Sequence, residues 1–306
     1  MPSARRLSTA ALLAAAFTAG SASAASVTVT LENLSPEGGL FTTPVWVGFH
    51  DGTFDLFDLG DTASTGLERI AEDGSFGAIA EEFADATGGN GLGGVITAPE
   101  GFAGAPVLEP GEITSQTFEV DEFTQRFLSL GAMVLPSNDA FFGTDDAIEL
   151  FDADGTFFGG AEFTVTRDDI LDAGTELNTE LDAAFLNQTG PDTGITENGV
   201  ITVHPGFIGS VGGPAAGPNG EAASILGGTV VTGDVISPTL GDFTADGFGG
   251  LVRVTIALND GSDTGDGDDN DGGSGAGGGA TAVPTPSALG AGFIGLLALA
   301  RRRNRG

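Results

Sequence analysis

Short segments in which apolar and polar residues alternate, separated by Gly, Pro, Asp and Asn, constrain the fold of this chain most. Alternation with a period of two places every second side chain on one face of a β-strand, so each segment predicts a strand with one buried face. Many such segments at close spacing are typical of an antiparallel β-sandwich. The predicted strands are residues 27–32, 45–50, 117–120, 127–134, 147–151, 162–166, 200–204, 228–231 and 251–258.

One region, after the second predicted strand, has helical periodicity instead. Apolar residues from Leu67 to Phe83 recur at spacings of three and four, with acidic residues between them. Because Gly74 interrupts the pattern, we predict two short helices within residues 64–86. Residues 177–184 allow either a further helical turn or an extended loop.

The beginning of the chain has the pattern of a secretory signal peptide. Arg5 and Arg6 precede an apolar run, and the small residues 22–24 provide a cleavage point. We therefore predict that residues 1–24 are a signal peptide and that the protein is secreted or displayed on the cell surface.

The end of the chain resembles a sorting signal. The motif Val283-Pro284-Thr285-Pro286 leads into an apolar stretch that is followed by Arg301-Arg302-Arg303. This order resembles the PEP-CTERM tail of Gram-negative bacteria, which carries Glu where Thr285 stands and implies processing by an exosortase-like enzyme. A membrane anchor is the alternative, although about 13 apolar or small residues is short of the roughly 20 that span a bilayer. If the exosortase-like enzyme removes the tail, the protein contacts the membrane only transiently, through its terminal segments.

The charge of the chain excludes some classes of partner. Six of the ten arginines lie in the two terminal segments, no lysine is present, and removing those segments changes the formal net charge from −33 to about −39. Such a field repels nucleic acid and anionic lipid, and it opposes compaction unless cations or salt relieve it. Alternatively, the acids only hydrate the surface in a salty medium.

The chain divides into a folded domain and an acidic linker. Cysteine is absent, so an exported domain over residues 25–260 must be stabilised by its core, with or without a metal. Residues 261–282 contain no apolar side chain larger than Ala and are predicted to be a flexible linker. Asp266 and Asp268 lie at alternating positions there, but the glycine and glutamate of a calcium loop are missing.

Two acidic motifs about thirty residues apart indicate a metal site. Pro136-Ser137-Asn138-Asp139 opens a predicted Phe-Phe-Gly turn, and Asp172-Ala173-Gly174-Thr175-Glu176 follows a strand-like run. Carboxylates and free carbonyl oxygens at strand ends suit Ca²⁺, which takes six to eight oxygen ligands with loose geometry. From spacing alone, each Asp is better explained as an ordinary turn former.

The order of several short motifs across residues 26–258 resembles a spondin domain, the N-terminal module of F-spondin and mindin. The motifs that carry the resemblance are Val27-Thr28-Val29-Thr30-Leu31-Glu32, Trp46-Val47-Gly48-Phe49-His50-Asp51, Ala71-Glu72-Asp73-Gly74, Pro136-Ser137-Asn138-Asp139 and Asp172-Ala173-Gly174-Thr175-Glu176.

This resemblance implies a particular fold and a particular site. The fold is an all-β, eight-stranded antiparallel sandwich that holds calcium in loops at one end. By position, the implied calcium ligands are Asp139, Asp172 and Glu176, although family members often carry Asp where Glu176 stands. Lesser candidates are Asp145, Asp146 and Glu72. Animal members act in adhesion, but they add cysteines, tryptophans and thrombospondin repeats that this chain lacks, so their receptor specificity is not transferred.

Catalysis has little support in the sequence. His50 and His204 both lie inside predicted strands, no Gly-x-Ser-x-Gly motif is present, and carboxylate pairs among 43 acids indicate nothing by themselves. The sequence therefore predicts a non-catalytic, calcium-binding adhesion or matrix module whose partner is an extracellular polymer or surface protein. The alternatives are an acidic structural surface protein without a metal site and, less favoured, a polysaccharide hydrolase.

Overall fold

The computed structural model describes residues 24–98 and 106–259, which form two antiparallel β-sheets and two short α-helices. The strands are β1 Ala25–Asn33, β2 Phe41–Thr42, β3 Val45–His50, β4 Leu92–Ile96, β5 Ile113–Val120, β6 Phe127–Leu135, β7 Ala140–Gly143, β8 Ile148–Glu149, β9 Ala161–Thr164, β10 Leu171–Asp172, β11 Thr202–Val203 and β12 Val252–Leu258. The helices are α1 Thr65–Asp73 and α2 Gly77–Ala86.

The smaller sheet has the strand order β5-β1-β12-β9 and follows the alternation in the sequence. In β1, Val27, Val29 and Leu31 are at most 1% exposed, whereas the residues between them are partly exposed. Val29 pairs with Ile256 of β12, so the apolar residues of neighbouring strands lie on one face. That face packs into the core between the two sheets.

The larger sheet has the order β11-β10-β7-β6-β3-β4, with β2 and β8 also paired to β6. The two helices and the segment after β3 cover its outer face with a second apolar cluster. There the Phe83 ring lies 5.3 Å from Trp46 and 5.1 Å from Phe54, centroid to centroid. Because both faces of this sheet are covered, all six residues of β3 are buried, as expected for a nearly continuous apolar strand.

Local interactions define both ends of α1. The Ser64 hydroxyl accepts a hydrogen bond from the Leu67 N–H at 3.1 Å, which caps the first turn. At the other end, Gly74 has φ 60° and donates its N–H to the Ile70 carbonyl at 2.9 Å. A β-carbon on Gly74 would also lie 2.5 Å from the Thr43 methyl carbon. The predicted interruption at Gly74 is confirmed.

Between β10 and β12 the chain is mostly loop, and buried carboxylates hold the loops together. Glu180 is 2% exposed, and its carboxylate accepts hydrogen bonds from the N–H groups of Ile208 (2.7 Å), Ser224 (2.7 Å) and Ile225 (2.9 Å). Its backbone has φ 57°, a left-handed conformation that non-glycine residues seldom adopt. Asp242 acts in the same way, accepting from the Val211 N–H at 2.8 Å.

The structure confirms the all-β antiparallel sandwich and the pair of helices after the strand at residues 45–50. Within the described residues there are twelve strands rather than eight, because four of them are only two residues long. One of these four is β2, which precedes β3. Its two residues are too few to produce an alternating pattern in the sequence.

Three local predictions were wrong or are now decided. Phe141-Phe142-Gly143 belongs to strand β7 and is not a turn, because Phe141 pairs with Met133 of β6. Residues 228–231 form no strand, only a single bridge between Thr229 and Val235. Residues 177–184 are a loop. Strand β4 was missed because its glycines, Gly93 and Gly94, weaken a strand pattern.

Residues 1–23, 99–105 and 260–306 lie outside the described part of the chain. The predicted signal peptide, acidic linker and sorting tail fall there and stay predictions. Over residues 24–98 and 106–259, no helix is both long enough and apolar enough to cross a membrane.

We expect the substitution Glu180→Gln to lower the free energy of unfolding by about 3 kcal/mol, because an amide NH₂ group replaces an oxygen that accepts buried N–H groups. Chemical denaturation measures the change. The matched control is Glu221→Gln in the same loop region, where the carboxylate accepts the Asn219 N–H at 2.8 Å but lies at the surface. Equal effects of the two substitutions would contradict the role assigned to Glu180.

Candidate metal centre

The two acidic motifs meet because the strands that carry them are neighbours. Asp139 directly precedes β7, Asp172 ends β10, and in the β7–β10 pair Asp172 lies opposite Ala140. The backbone N–H of Ala173 also donates to the Asp139 carbonyl at 3.2 Å. The loop after β10 then brings Glu176 to the same place, so the structure places the three predicted ligands in one region.

Asp139 is the central residue of this region. Its side chain is fully buried, and its Oδ2 accepts hydrogen bonds from the N–H groups of Thr175 (2.9 Å) and Glu176 (3.1 Å). Its Oδ1 is buried and has no hydrogen-bond partner. Burial raises the pKa of Asp139 well above its usual value, and the negative charge of Asp172 raises it further.

Asp172 is held by two donors from its own loop. Its Oδ1 accepts the Gly174 N–H at 2.8 Å, and its Oδ2 accepts a hydrogen bond from the Asn178 amide. The bond to Gly174 is the local contact expected of a turn-forming Asp. The residue is only 6% exposed, so its carboxylate faces the protein rather than solvent.

Glu176 contributes both its backbone and its side chain. While its N–H donates to Asp139, its Oε1 accepts a hydrogen bond from the Asn138 amide at 2.7 Å. Burial raises the pKa of Glu176 to about 7 despite that hydrogen bond, and the nearby acids Glu72, Asp182 and Asp73 add to the shift. At neutral pH this carboxyl group is therefore close to half ionised.

The chemistry of these side chains fits a hard cation. Asp139 Oδ1 is a buried carboxylate oxygen without a partner, a second carboxylate lies close enough to raise its pKa, and all candidate donors are oxygens. Two buried carboxylates without a compensating cation repel each other, and Ca²⁺ would convert that repulsion into attraction. Asp139 and Asp172 would hold the ion, with Glu176 beside them.

A different acidic group is the tightest one in the described part of the chain. Ligand atoms of Glu68, Glu72 and Asp192 all lie within 4.8 Å of one another, and no other set of three among the described residues does so. However, Nη2 of Arg69 lies 2.7 Å from Glu68, 2.8 Å from Glu72 and 3.2 Å from Asp192. The guanidinium occupies the position that a metal would take.

Two of the three lesser candidates lie away from this region. Asp145 and Asp146 are exposed in the loop after β7, whereas Glu72 pairs with Arg69 and lies close enough to Glu176 to raise its pKa. Asp145 accepts the Leu59 N–H at 3.3 Å. None of the three is brought together with Asp139 and Asp172 by a hydrogen bond between their side chains in the described residues.

Neither histidine forms a solvent-accessible catalytic group. His50 Nε2 lies 3.1 Å from the Ser129 hydroxyl, but both side chains are fully buried and the adjacent Asp51 bonds to Thr53 instead. His204 is 2% exposed, and burial lowers its pKa to about 4 although the Asp172 charge opposes the shift. A substrate would have no access to either ring.

Sequence reasoning missed the polar residues that surround the three acids. Asn138 lies within the first motif and His204 ends a predicted strand, but neither pattern indicates a contact with carboxylates, and Asn178 and Glu180 lie in a segment without a definite prediction. Asn178 is only six residues from Asp172, whereas the contacts of Asn138 with Glu176, of Glu180 with Asn138 and of His204 with Asn178 span 38, 42 and 26 residues, so only the folded chain reveals those three.

The comparison with protein families identifies the family of this chain. The family model Spondin_N matches residues 41–195, just over half of the chain and a span that includes both acidic motifs. This chain belongs to the Spondin_N family. Spondin_N domains are non-enzymatic, extracellular modules of the matrix and adhesion type. A search of curated proteins finds no match to the chain.

In metal-depleted buffer, we expect the wild-type spondin domain to lose more stability than Glu176→Gln as the pH rises from about 4.5 to 7, because the His204 contribution, which has the opposite sign, is common to both proteins. A folded-state pKa of Glu176 near 7 means that the native state binds a proton more tightly than the unfolded state, so raising the pH through this window favours unfolding. Over this pH window, the titration of Glu176 lowers the free energy of unfolding by about 3 kcal/mol.

Urea unfolding at pH 5, 6, 7 and 8 checks this pH dependence. Glu176→Gln, which keeps an oxygen for Asn138, should remove the Glu176 part of the pH dependence, while substitution of the exposed Glu81 by Gln on α2 should leave the profile as in the wild type. Parallel profiles for wild type and Glu176→Gln would contradict the assignment.

Proposed function

We propose that this spondin domain is a secreted or cell-surface, calcium-binding adhesion or matrix module without catalytic activity. One observation carries the calcium part of the proposal. Asp139 is a fully buried carboxylate with an unpartnered oxygen, and it lies beside a second carboxylate, Asp172. A bound divalent cation supplies the missing partner and the missing positive charge.

Burial of the site suggests what the ion would do. Asp139, Asp172 and Glu176 are 0%, 6% and 3% exposed, so an ion held by them is enclosed by protein. Such an ion pins the turn before β7 to the loop after β10, rather than bridging to a partner molecule. Calcium then acts as a structural clamp for the loops at this end of the sandwich.

The adhesion part of the proposal rests on family membership and on charge. Members of this family are matrix and adhesion modules, and a formal net charge of −33 disfavours nucleic acid and anionic lipid as partners. In contrast, residues 205–233 carry only one charged side chain, Glu221. This loop region is a weakly charged part of the chain through which a polymer or surface protein can approach with little repulsion.

A second candidate is an acidic surface protein in which the carboxylates act without metal. The hydrogen bonds favour it to some degree, because Asp139 Oδ2 is satisfied by two backbone N–H groups and Asp172 bonds to its own loop. In this metal-free candidate, Asp139 Oδ1 stays buried without a hydrogen-bond partner. That costs free energy of folding, which a bound cation would offset.

Thermal unfolding with calcium and with chelator distinguishes the two candidates. Calcium at a hundred times its dissociation constant should stabilise the wild type by about 2.7 kcal/mol. Asp139→Asn and Asp172→Asn should each abolish this calcium-dependent shift, because each removes a negative charge from the site. Asp266→Asn and Asp268→Asn in the acidic linker are the controls and should keep it. A wild-type melting curve that calcium leaves unchanged would favour the metal-free candidate.

Adhesion is checked by a pull-down of residues 25–260 against purified envelope and extracellular polymer. We expect retention with calcium and reduced retention with chelator, because the clamp orders the loops that face the partner. The Asp139→Asn variant should behave in calcium as the wild type behaves in chelator. If calcium shifts the melting curve but no fraction retains the protein, the adhesion role is wrong and the metal role stands.

A further inference from the structure

Two asparagine side chains donate hydrogen bonds to carboxylates of the candidate metal centre. The Asn178 amide donates to Asp172 Oδ2, and the Asn138 amide donates to Glu176 Oε1 at 2.7 Å. Each amide is neutral, so it fixes the direction of a carboxylate without neutralising its charge.

Both asparagines are themselves held in one orientation. Asn138 Oδ1 accepts the Glu180 N–H at 2.9 Å, and Asn178 Oδ1 lies 3.3 Å from His204 Nε2. His204 Nδ1 accepts the Gly206 N–H at 3.0 Å, which places the ring proton on Nε2, where it donates to Asn178. The result is a directed chain of donors from His204 through Asn178 to Asp172.

Little empty space remains between the two asparagines and the residues packed around them. A cavity of about 10 Å³ is lined by Asn138, Asn178, Glu180 and His204 together with apolar residues, which is room for one water molecule at most. His204 packs edge-on against Phe207 and Phe243, with ring centroids 5.7 and 5.5 Å away. The imidazole therefore has little freedom to turn away from Asn178.

The contrast with the other acidic group shows what this arrangement does. Around Arg69, a guanidinium lies among the acids Glu68, Glu72 and Asp192 and supplies positive charge at the position that an added cation would take. Around Asp172 and Glu176, the hydrogen-bond donors are amides and backbone N–H groups. The charge of these carboxylates therefore remains available to a cation.

We propose that Asn178, oriented by His204, is a positioning residue that holds the Asp172 carboxylate for calcium, and that Asn138 does the same for Glu176. This inference rests on the proposed calcium function and deepens it. Residues that orient a metal ligand through a hydrogen bond commonly contribute 10- to 100-fold to metal affinity.

Calorimetric titration of the full domain with calcium tests the proposal. Asn178→Ala should weaken calcium binding 10- to 100-fold. The matched control is Asn187→Ala, because Asn187 lies in the same loop, accepts the Ala183 N–H at 2.7 Å and donates to the Glu180 carbonyl at 2.8 Å, but does not touch the acids. Asn187→Ala should lower the free energy of unfolding in chelator and leave the calcium affinity within about twofold of the wild type.

Substitutions of His204 separate positioning from packing. His204→Leu should weaken calcium binding, whereas His204→Gln, which retains an N–H donor, should restore most of the affinity. Nitrogen NMR of the imidazole in metal-free protein gives an independent readout and should show the proton on Nε2. A proton on Nδ1 would overturn the proposed chain of donors.

The outcomes are distinguishable. A wild type that gives no calcium isotherm overturns the proposed function and this inference with it. A wild type that binds calcium, with Asn178→Ala binding equally well or Asn187→Ala weakened to the same extent, overturns the positioning role alone. If His204→Leu does not fold, the Asn178→Ala titration and the imidazole NMR still decide.

Discussion

Buried carboxylates that accept backbone N–H groups are the interaction on which the loop-rich half of this domain depends. Asp139, Glu180 and Asp242 each accept hydrogen bonds from N–H groups of loop segments that lie outside the strands β1 to β12. Because no cysteine is present, disulfides cannot hold these loops. An acidic side chain can satisfy two or three donors at once, so one residue joins several segments.

The same dependence explains why the candidate metal centre lies where it does. The sandwich supplies rigid strands β7 and β10, and the loops that follow β10 must be anchored to them by polar contacts. Carboxylates placed there for anchoring lie close together, and a cation would relieve their mutual repulsion. Arg69 supplies positive charge to one group of acids, whereas the hydrogen-bond donors to Asp139 and Asp172 are neutral groups.

Prediction from sequence worked where one local pattern decides the structure. The alternation in β1 and the cap signals around Ser64 and Gly74 act within a few residues, so they are visible before folding. The pattern was misleading where pairing decides, as at Phe141-Phe142-Gly143, whose strand exists because β6 and β10 flank it. Short bridges such as Thr229–Val235 have no signal of their own.

The sequence by itself determined the fold class, the helix pair, the absence of disulfides, the strongly acidic charge and the two acidic motifs, because these follow from residue types and short-range spacing. Only the tertiary structure decided that Asp139 meets Thr175 and Glu176, that Asp192 joins Glu68 and Glu72 around Arg69, and that His204 reaches Asn178 beside Asp172. Each of these contacts joins residues far apart in the chain or depends on which loops pack together, and hydrophobic periodicity carries no information about polar contacts of that kind.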